Sequence, residues 1–548
     1  MTWNESWDLV VVGSGGGALA AGLAARSQGK SVLLLEKTEL VGGSTSMSGG
    51  VLWIPNHPLQ AVDGVEDSHE AGRAYMDATV GEAGPSTSPA RKEAFLRAGP
   101  DMVSMMMQQG IAFERAEGWA DYYDERPGGC PRSRSLICPM FDARELGEFN
   151  AKLRRGPITL PVTAMEGVLL TLAKKSLKGL LTVIKLAWRL GVMRVTGKQW
   201  VTSGGSLGGR VLKAALEQGV ELRTCAPVID LAFEGERVAG VIATIAGTEQ
   251  RIQARDGVVI AAGGFSHNAE MRDRYQPHPS TTEWTNANPG DTGDLIRIAM
   301  AHGAATDLLD QTIWIPSSLP PGSAVPSMSV PELAKPHLIV VDKNGKRFAD
   351  EACSYMEFGQ AMYAAEAVPA YIILDSQHRN SYPWGTTPPG KTPAQWIETG
   401  YMKKAGSLAE LAGQRGIDPV GLSSTVERFN GFARSGRDAD FRRGDRVYDT
   451  VWADFTHKPS PTLGTIEKAP FYSVELVPGD VGTFGGILTD ENARVVREDG
   501  SVIQGLYATG NSTASVMGRC YPAAGASIAA SFVFGYVAAL HATRSNAA

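Results

Sequence analysis

Between Leu9 and Val12 the chain is unbroken aliphatic, and it then turns through Gly13-Ser-Gly-Gly-Gly17 into an alanine-rich stretch opening at Ala18. Continuous rather than alternating hydrophobicity predicts a strand covered on both faces, the habit of parallel sheets. The small residues behind it predict a helix start with bare backbone, where N–H groups and the helix dipole favour a pyrophosphate. A second aliphatic run, Val32-Leu-Leu-Leu35, ends at Glu36. That acid stands roughly 20 residues past the turn, the spacing at which a carboxylate reaches ribose hydroxyls. Together these elements predict a dinucleotide site of the Rossmann kind, with Ala18 in the third glycine position.

The next segment narrows the choice of dinucleotide. Glu36-Lys-Thr-Glu-Leu-Val-Gly-Gly-Ser-Thr-Ser-Met-Ser-Gly-Gly50 is a second loop of small residues, and the apolar Val51-Leu-Trp-Ile-Pro55 follows at once. A nicotinamide cofactor gives no reason for such a loop behind the ribose-binding strand, whereas a bulky isoalloxazine must lie against bare backbone. FAD is the expected cofactor. Three later stretches predict strands of the same domain: Gly219 to Leu231 after a helix over Gly208 to Gln218, Asp256 to Phe265, and Gly505 to Asn511. The last two end in small residues where a backbone can pass close to a cofactor, and an alanine-rich helix is predicted from Gly525. The candidate cofactor contacts are Gly13, Ser14, Gly15, Gly16, Gly17, Ala18, Glu36, Lys37, Gly43, Ser44, Thr45, Gly49, Gly50, Val228, Ala262, Gly263, Asp294, Gly510, Asn511, Ala526, Ser527 and Ile528.

Between Ile313 and Pro478 the periodicity weakens, prolines and tryptophans cluster, and the helical stretches, such as Ser407 to Leu411 and Leu422 to Ala433, are short. The expected architecture is therefore α/β, a Rossmann-like FAD-binding domain over residues 1–312 and 479–548 with an inserted α+β cap (catalytic) domain over 313–478, and the active site at the seam. One segment stands apart. Leu160 to Trp200 sets Lys174, Lys175, Lys178, Lys185, Arg189, Arg194 and Lys198 among apolar residues, with Glu166 its sole acid. A basic amphipathic helix can lie on a membrane surface; the plainer expectation is a solvated face over a core stripe.

Composition changes the picture little. The 548 residues are 43% hydrophobic and 20% charged, as in an ordinary globular enzyme of two or three domains. A net charge of −6 disfavours a nucleic-acid partner. Cys130, Cys138, Cys225, Cys353 and Cys520 are scattered without a CxxC pair, which suits a reducing compartment and predicts no metal site. The start, Met1-Thr-Trp-Asn-Glu-Ser-Trp-Asp8, leaves no room for a signal peptide before the first strand, and no uncharged apolar run reaches ~18 residues. A cytoplasmic protein is expected.

Several long segments carry a resemblance. Gly42-Gly-Ser-Thr45, Gly49-Gly-Val-Leu-Trp-Ile-Pro55, Asp121-Tyr-Tyr-Asp-Glu-Arg-Pro-Gly-Gly129 and Thr281-Thr-Glu-Trp-Thr285 are among them, with Asn344-Gly-Lys-Arg-Phe-Ala-Asp-Glu351, Gly485-Gly-Ile-Leu-Thr-Asp490 and Val516-Met-Gly-Arg-Cys-Tyr-Pro-Ala-Ala-Gly525. Over nearly its whole length the chain resembles the 3-ketosteroid Δ1-dehydrogenases, flavoproteins related to the fumarate reductase and succinate dehydrogenase group. The resemblance implies FAD-dependent removal of hydrogens from C1 and C2 of a steroid A ring, in steroid catabolism, with a quinone or other acceptor reoxidising the flavin. It implies that Tyr521 and the Gly525 N–H stabilise the C3 oxygen, that Tyr355 takes the C2 proton, and that Tyr123, rather than Tyr122, assists it. Burial should raise a tyrosine pKa above its usual ~10, so the tyrosines must act as one unit.

The chain also departs from the family pattern. Tyr521 is followed by Pro-Ala-Ala-Gly where Pro-Gly-Pro-Gly or Ala-Gly-Pro-Gly is usual, Arg519-Cys520 replaces His-Thr, and Ser354 precedes Tyr355 where proline is common. The nearest rival is a 3-ketosteroid Δ4-(5α)-dehydrogenase, in which serine tends to stand where this chain has Ala523. A fumarate-type reductase is a different class: no CxxCH haem motif is present, and the Gly43-Ser44-Thr45 loop lacks the histidine that attaches FAD covalently in succinate dehydrogenases. FAD is thus expected to be non-covalent. A non-catalytic flavin-binding or lipid-carrier role is disfavoured by the retained tyrosines.

Overall fold

The structure is a computed structural model that describes residues 2–156 and 160–544. β1 (Glu5–Val12) leads into α1 (Gly16–Ser27), β2 (Val32–Leu35) and the short α2 (Gly43–Met47); α3 (Ala164–Leu170) and α4 (Leu177–Thr196) form a hairpin before β3 (Glu221–Arg223) and the long β4 (Thr248–Ile260). A second sheet is built from β5 (Thr312–Ser318), β6 (Leu338–Val341), β7 (Ala370–Asp375) and β8 (Phe471–Thr483), with α5 (Tyr355–Ala364) between β6 and β7. The chain then returns to the first sheet through β9 (Arg494–Val496), β10 (Val502–Ala508) and α6 (Ala526–Arg544).

In the first sheet the order is β9-β10-β4-β1-β2-β3, parallel from β10 to β3 with β9 antiparallel at the edge. Val10 pairs with Leu33 on one side and Val258 on the other. Leu9 and Val11 face a core shared with α1 and α6, while Val10 and Val12 face a core beneath the antiparallel strands Val228–Glu234 and Arg237–Ile245. Both faces of β1 are covered, which is why its pattern is continuous. The α/β class with a Rossmann-like FAD-binding fold is present as expected. The second sheet is antiparallel, in the order β5-β8-β7-β6.

Several boundaries differ from expectation. The stretch from Gly219 to Leu231 is not one strand: it breaks at Cys225, whose φ is +55°, and the Ala226 N–H donates to the Glu36 carbonyl, closing the chain over the end of β2. The helix before it starts earlier, at Ser203. The last cap helix is Pro419–Ser435, 17 residues, longer than its sequence pattern suggested; Asp418 caps its start and Gly436 stops it in the left-handed region. By length and composition α6 could cross a bilayer. It packs instead along α1: a Cβ at Gly16 would stand 1.9 Å from the Phe532 ring, and one at Gly535 2.2 Å from the Gly17 carbonyl oxygen.

Candidate active site

Four phenols from distant parts of the chain meet at one end of α5 and α6. The Tyr355 ring lies 5.0 Å from that of Tyr521 and meets Tyr122 edge-on at 5.5 Å. Tyr122 stands 6.0 Å from Tyr521 and stacks on Tyr448 at 3.9 Å. Tyr355, Tyr448, Phe358, Leu333 and Trp452 line a small, mostly apolar cavity on the side of the second sheet. Tyr448 carried no sequence signal; it sits in a short turn more than 300 residues from its stacking partner and is placed purely by tertiary packing.

The structure brings Tyr122, not Tyr123, to Tyr355. These neighbours point apart because their backbone is fastened on both sides. The Tyr122 N–H donates to the Pro522 carbonyl at 2.8 Å, and the Tyr75 hydroxyl donates to that same oxygen at 2.6 Å while accepting from the Tyr123 N–H at 3.2 Å. One residue earlier, buried Asp121 accepts from Trp53 Nε1, the Cys130 N–H and Arg134 Nη1 at 2.8, 3.0 and 2.8 Å. Arg134 also holds Asp67 at 2.5 Å. Tyr123 is left with its ring beneath Arg126 and Arg446, 4.6 and 5.2 Å from the guanidinium carbons. The 122–123 pair is thus clamped onto the 521–525 turn.

That turn is closed tightly. Gly525 has φ +89°, and a Cβ there would stand 2.3 Å from the Val51 carbonyl oxygen, so glycine is required. Its carbonyl accepts from the Ala529 N–H at 2.9 Å, the first helical bond of α6, so its own N–H lies ahead of the helix, at the positive end of the dipole. The Tyr521 hydroxyl shares a 3.1 Å hydrogen bond with Ser527 Oγ in the first turn of α6. The departures from the family pattern are absorbed here: Ser354 Oγ donates to the Tyr521 carbonyl at 3.4 Å, and Ser135 Oγ to the Ala524 carbonyl at 3.0 Å.

Burial pushes the Tyr122, Tyr355 and Tyr448 phenols above the ordinary tyrosine range. The charges of Tyr122 and Tyr521 would add to the rise at Tyr355, whereas hydrogen bonds with Tyr355 and Tyr448 oppose the rise at Tyr122. Burial thus keeps the Tyr122, Tyr355 and Tyr448 phenols neutral.

The glycine turns converge at the carboxyl ends of the parallel strands. Gly13 has φ +113° and a Cβ there would meet the Ala261 carbonyl oxygen at 2.2 Å. Gly15 has nothing within 4 Å of its missing Cβ, whereas Gly16 and Gly17 have α6 there; of the three, Gly15 presents its bare face to open space. The Gly16 N–H donates to Thr45 Oγ1 at 3.1 Å, tying α1 to α2, with Ala18 buried behind. Glu36 is buried at the end of β2 and already oriented: Ser14 Oγ donates to it at 2.6 Å, and Thr38 donates through N–H and Oγ1 at 2.9 and 2.8 Å. Arg154 beside it keeps a buried Nε with no partner. Ala262 and Gly263 are held by Ser512 Oγ at 3.0 and 2.8 Å. Gly263 crowds Asp291, which burial pushes up to about 7 and which takes a 3.3 Å bond from Ser44.

The remaining candidates fall around this cradle. Gly43 stands over Gly15, its missing Cβ 3.2 Å from that Cα. At Gly49 a Cβ would meet only Val51 Cγ2, at 3.8 Å, while Gly50 packs on Ser203. Lys37 and Asp294 pair with each other at 2.7 Å. Val228 starts the strand after the Ala226 turn. Gly510, Asn511 and Ser527 line a small cavity, flanked in α6 by Ala526 and Ile528. Bare turns, an oriented carboxylate and an unpartnered guanidinium nitrogen suit an anionic dinucleotide. Among the described residues no cluster could hold a metal ion.

Residues 8–528 match the FAD binding domain family. A 3-oxosteroid 1-dehydrogenase of Mycobacterium tuberculosis is 39% identical over 557 residues, with 98% of each chain covered. The chain belongs to the 3-oxosteroid 1-dehydrogenase family. FAD is its cofactor. A solved 3-ketosteroid Δ1-dehydrogenase from Sterolibacterium denitrificans, in complex with 1,4-androstadiene-3,17-dione, superposes with a TM-score of 0.94 at 35% identity, covering 99% of this chain and 100% of that one. A 3-ketosteroid Δ4-(5α)-dehydrogenase from Rhodococcus jostii shares the fold alone, at TM-score 0.67 and 21% identity.

Proposed function

We propose that this enzyme desaturates the C1–C2 bond of 3-ketosteroids, and that its tyrosine cluster is the catalytic centre. The observation that carries the reading is the convergence of Tyr122, Tyr355 and Tyr521 with the Gly525 turn beside a largely apolar cavity. A ketone oxygen placed at Tyr521 and the Gly525 N–H gains two donors as charge builds on it, the interaction that lowers the barrier to breaking the neighbouring C–H bond. Tyr355 then takes the C2 proton on its phenolic oxygen as it releases its own hydroxyl proton along the hydrogen-bonded Tyr122–Tyr448 chain towards water, so that each phenol ends the step neutral. Tyr122, in the position expected of Tyr123, is the supporting phenol, since it meets Tyr355 on one side and Tyr448 on the other. Bound FAD supplies the acceptor for the C1 hydride. Glu36, Ser14 and the Gly13–Gly15 turn hold the dinucleotide end, without a covalent link. Around the enzyme, a quinone or similar acceptor reoxidises the flavin, the setting is the cytoplasm, and the basic 160–200 segment meets a membrane.

The test is dye reduction with a panel of 4-ene-3-ketosteroids, 5α-reduced 3-ketosteroids and fumarate. Turnover confined to 3-ketosteroids, with the absorbance of a cross-conjugated 1,4-dien-3-one, supports Δ1 chemistry. A 4-ene product formed from 5α-steroids alone would replace it with the Δ4 reaction, and fumarate turnover would remove both.

A further inference from the structure

We propose that α4 is an interfacial helix that docks the enzyme on an anionic lipid bilayer and brings lipid-dissolved substrate to the cavity beside Trp452. The outer face of α4 is not the charged face expected of a solvated helix. Leu177, Leu181, Ile184, Trp188 and Val195 recur at three-, four- and seven-residue spacings, which places them on one side of a helix. They are 71%, 53%, 57%, 64% and 86% exposed. The opposite side, Gly179, Thr182 and Arg189, is buried. The helix therefore spends its small and polar residues inward and its large apolar residues outward, the reverse of a helix whose only role is packing.

The hairpin is fastened so that this face must stay outward. Arg189 donates to both oxygens of Glu166 in α3, at 2.5 and 2.9 Å, and to the Pro161 carbonyl at 2.7 Å. Thr163 and Glu166 form a reciprocal cap at the start of α3. Ser176 caps α4, and Gly197 ends it in the left-handed region.

Charge selects the occupant. Residues 160–200 carry seven basic side chains against one acid in a chain of net charge −6. α4 itself holds no carboxylate; Lys178 and Arg194 flank the apolar stripe, while Lys185 and Arg189 pair with Glu166. An apolar stripe bordered by cations, with an exposed tryptophan, matches the boundary of an anionic bilayer. A second copy of the chain would set these cations against one another.

The hairpin also adjoins the cavity. Lys335 Nζ donates to Thr171 at the end of α3 at 2.8 Å and also to the Trp452 carbonyl. Trp452 lines the cavity at Tyr355 and meets the Trp119 ring at 6.4 Å. Docking stands on α4 alone; the delivery half rests on the steroid reading of the site.

Co-sedimentation with phosphatidylcholine vesicles, with and without phosphatidylglycerol, tests the docking. The wild-type protein should sediment with anionic vesicles and only weakly with neutral ones. Ile184→Glu/Trp188→Glu should abolish binding to both, and Lys178→Gln/Arg194→Gln should weaken binding to anionic vesicles by about tenfold or more. Both variants should keep their flavin and full dye reduction with steroid supplied from cyclodextrin, but lose rate when the steroid is presented in vesicles. Failure of the wild type to sediment would overturn docking, as would variants that sediment equally. A wild-type dimer by light scattering that Ile184→Glu/Trp188→Glu converts to monomer, without vesicle binding, would make the face a subunit contact instead. Vesicle binding without turnover of any steroid would leave docking standing and remove the steroid reading.

Discussion

Loss of one hydroxyl should have a different consequence at each tyrosine. Tyr521→Phe removes a donor that matters most as charge builds on the ketone oxygen, so turnover should fall about 10²–10³-fold while steroid affinity changes little; steady-state kinetics with a binding titration checks this. Tyr122→Phe should lower turnover and Tyr123→Phe leave it within a few-fold, because Tyr122 alone meets Tyr355; the reverse order would return the supporting role to Tyr123. Burial raises the Tyr355 phenol, and a group with a raised acid pKa stays protonated at every pH below it. Steroid affinity should therefore be flat from about pH 6 to 9, below even the ordinary tyrosine value, and weakening near pH 8 in a binding titration would contradict a neutral cluster. Motif context pointed to Tyr521 and Tyr355, whose rings the structure brings 5.0 Å apart. It could not decide between Tyr122 and Tyr123, because adjacent residues point to opposite sides and the fastening comes from Tyr75, Arg134 and Pro522, far away in sequence.

At the scale of elements, local pattern was enough where one segment determines its own structure. β1, β2 and the glycine turn follow directly from their runs, whereas the break at Cys225 exists because Ala226 bonds to the end of β2, a contact no local pattern encodes. Glu166 shows the same dependence on a distant partner. Burial alone would raise it, but hydrogen bonds from Arg189 and Lys185 prevail and hold its carboxyl at about 2. A folded-state pKa below the unfolded value of ~4.3 gives stability that is present above that value and lost as pH falls from there towards 2. Hydrogen exchange in residues 164–196 should quicken across this acid window, and Glu166→Gln should make it fast already at neutral pH. Arg134 carries more of the fold, since its loss strands Asp67 and Asp121 in the interior. Arg134→Met should cost about 3–5 kcal/mol in denaturant unfolding and should displace the Tyr122 loop.

On the scale of the whole molecule, the two sheets divide the work. In the proposed reading, the parallel sheet with α1, α2 and α6 cradles the dinucleotide, and the antiparallel sheet carries Tyr355 at the start of α5 beside the cavity. The strands of the second sheet lie between Thr312 and Thr483, and the hydrophobic pattern of the chain changes near residue 313. The fourth phenol, Tyr448, and the outward apolar face of α4 became visible only once distant segments were packed together. The most direct measurement is a single anaerobic turnover, mixing the yellow enzyme with excess 4-ene-3-ketosteroid while following flavin absorbance and product together. The prediction is rapid bleaching with one equivalent of 1,4-dien-3-one in the wild type. Tyr355→Phe should bind steroid without bleaching. Wild-type enzyme that binds the steroid yet stays yellow, or Tyr355→Phe that bleaches at the wild-type rate, would contradict proton removal by Tyr355 at this cluster.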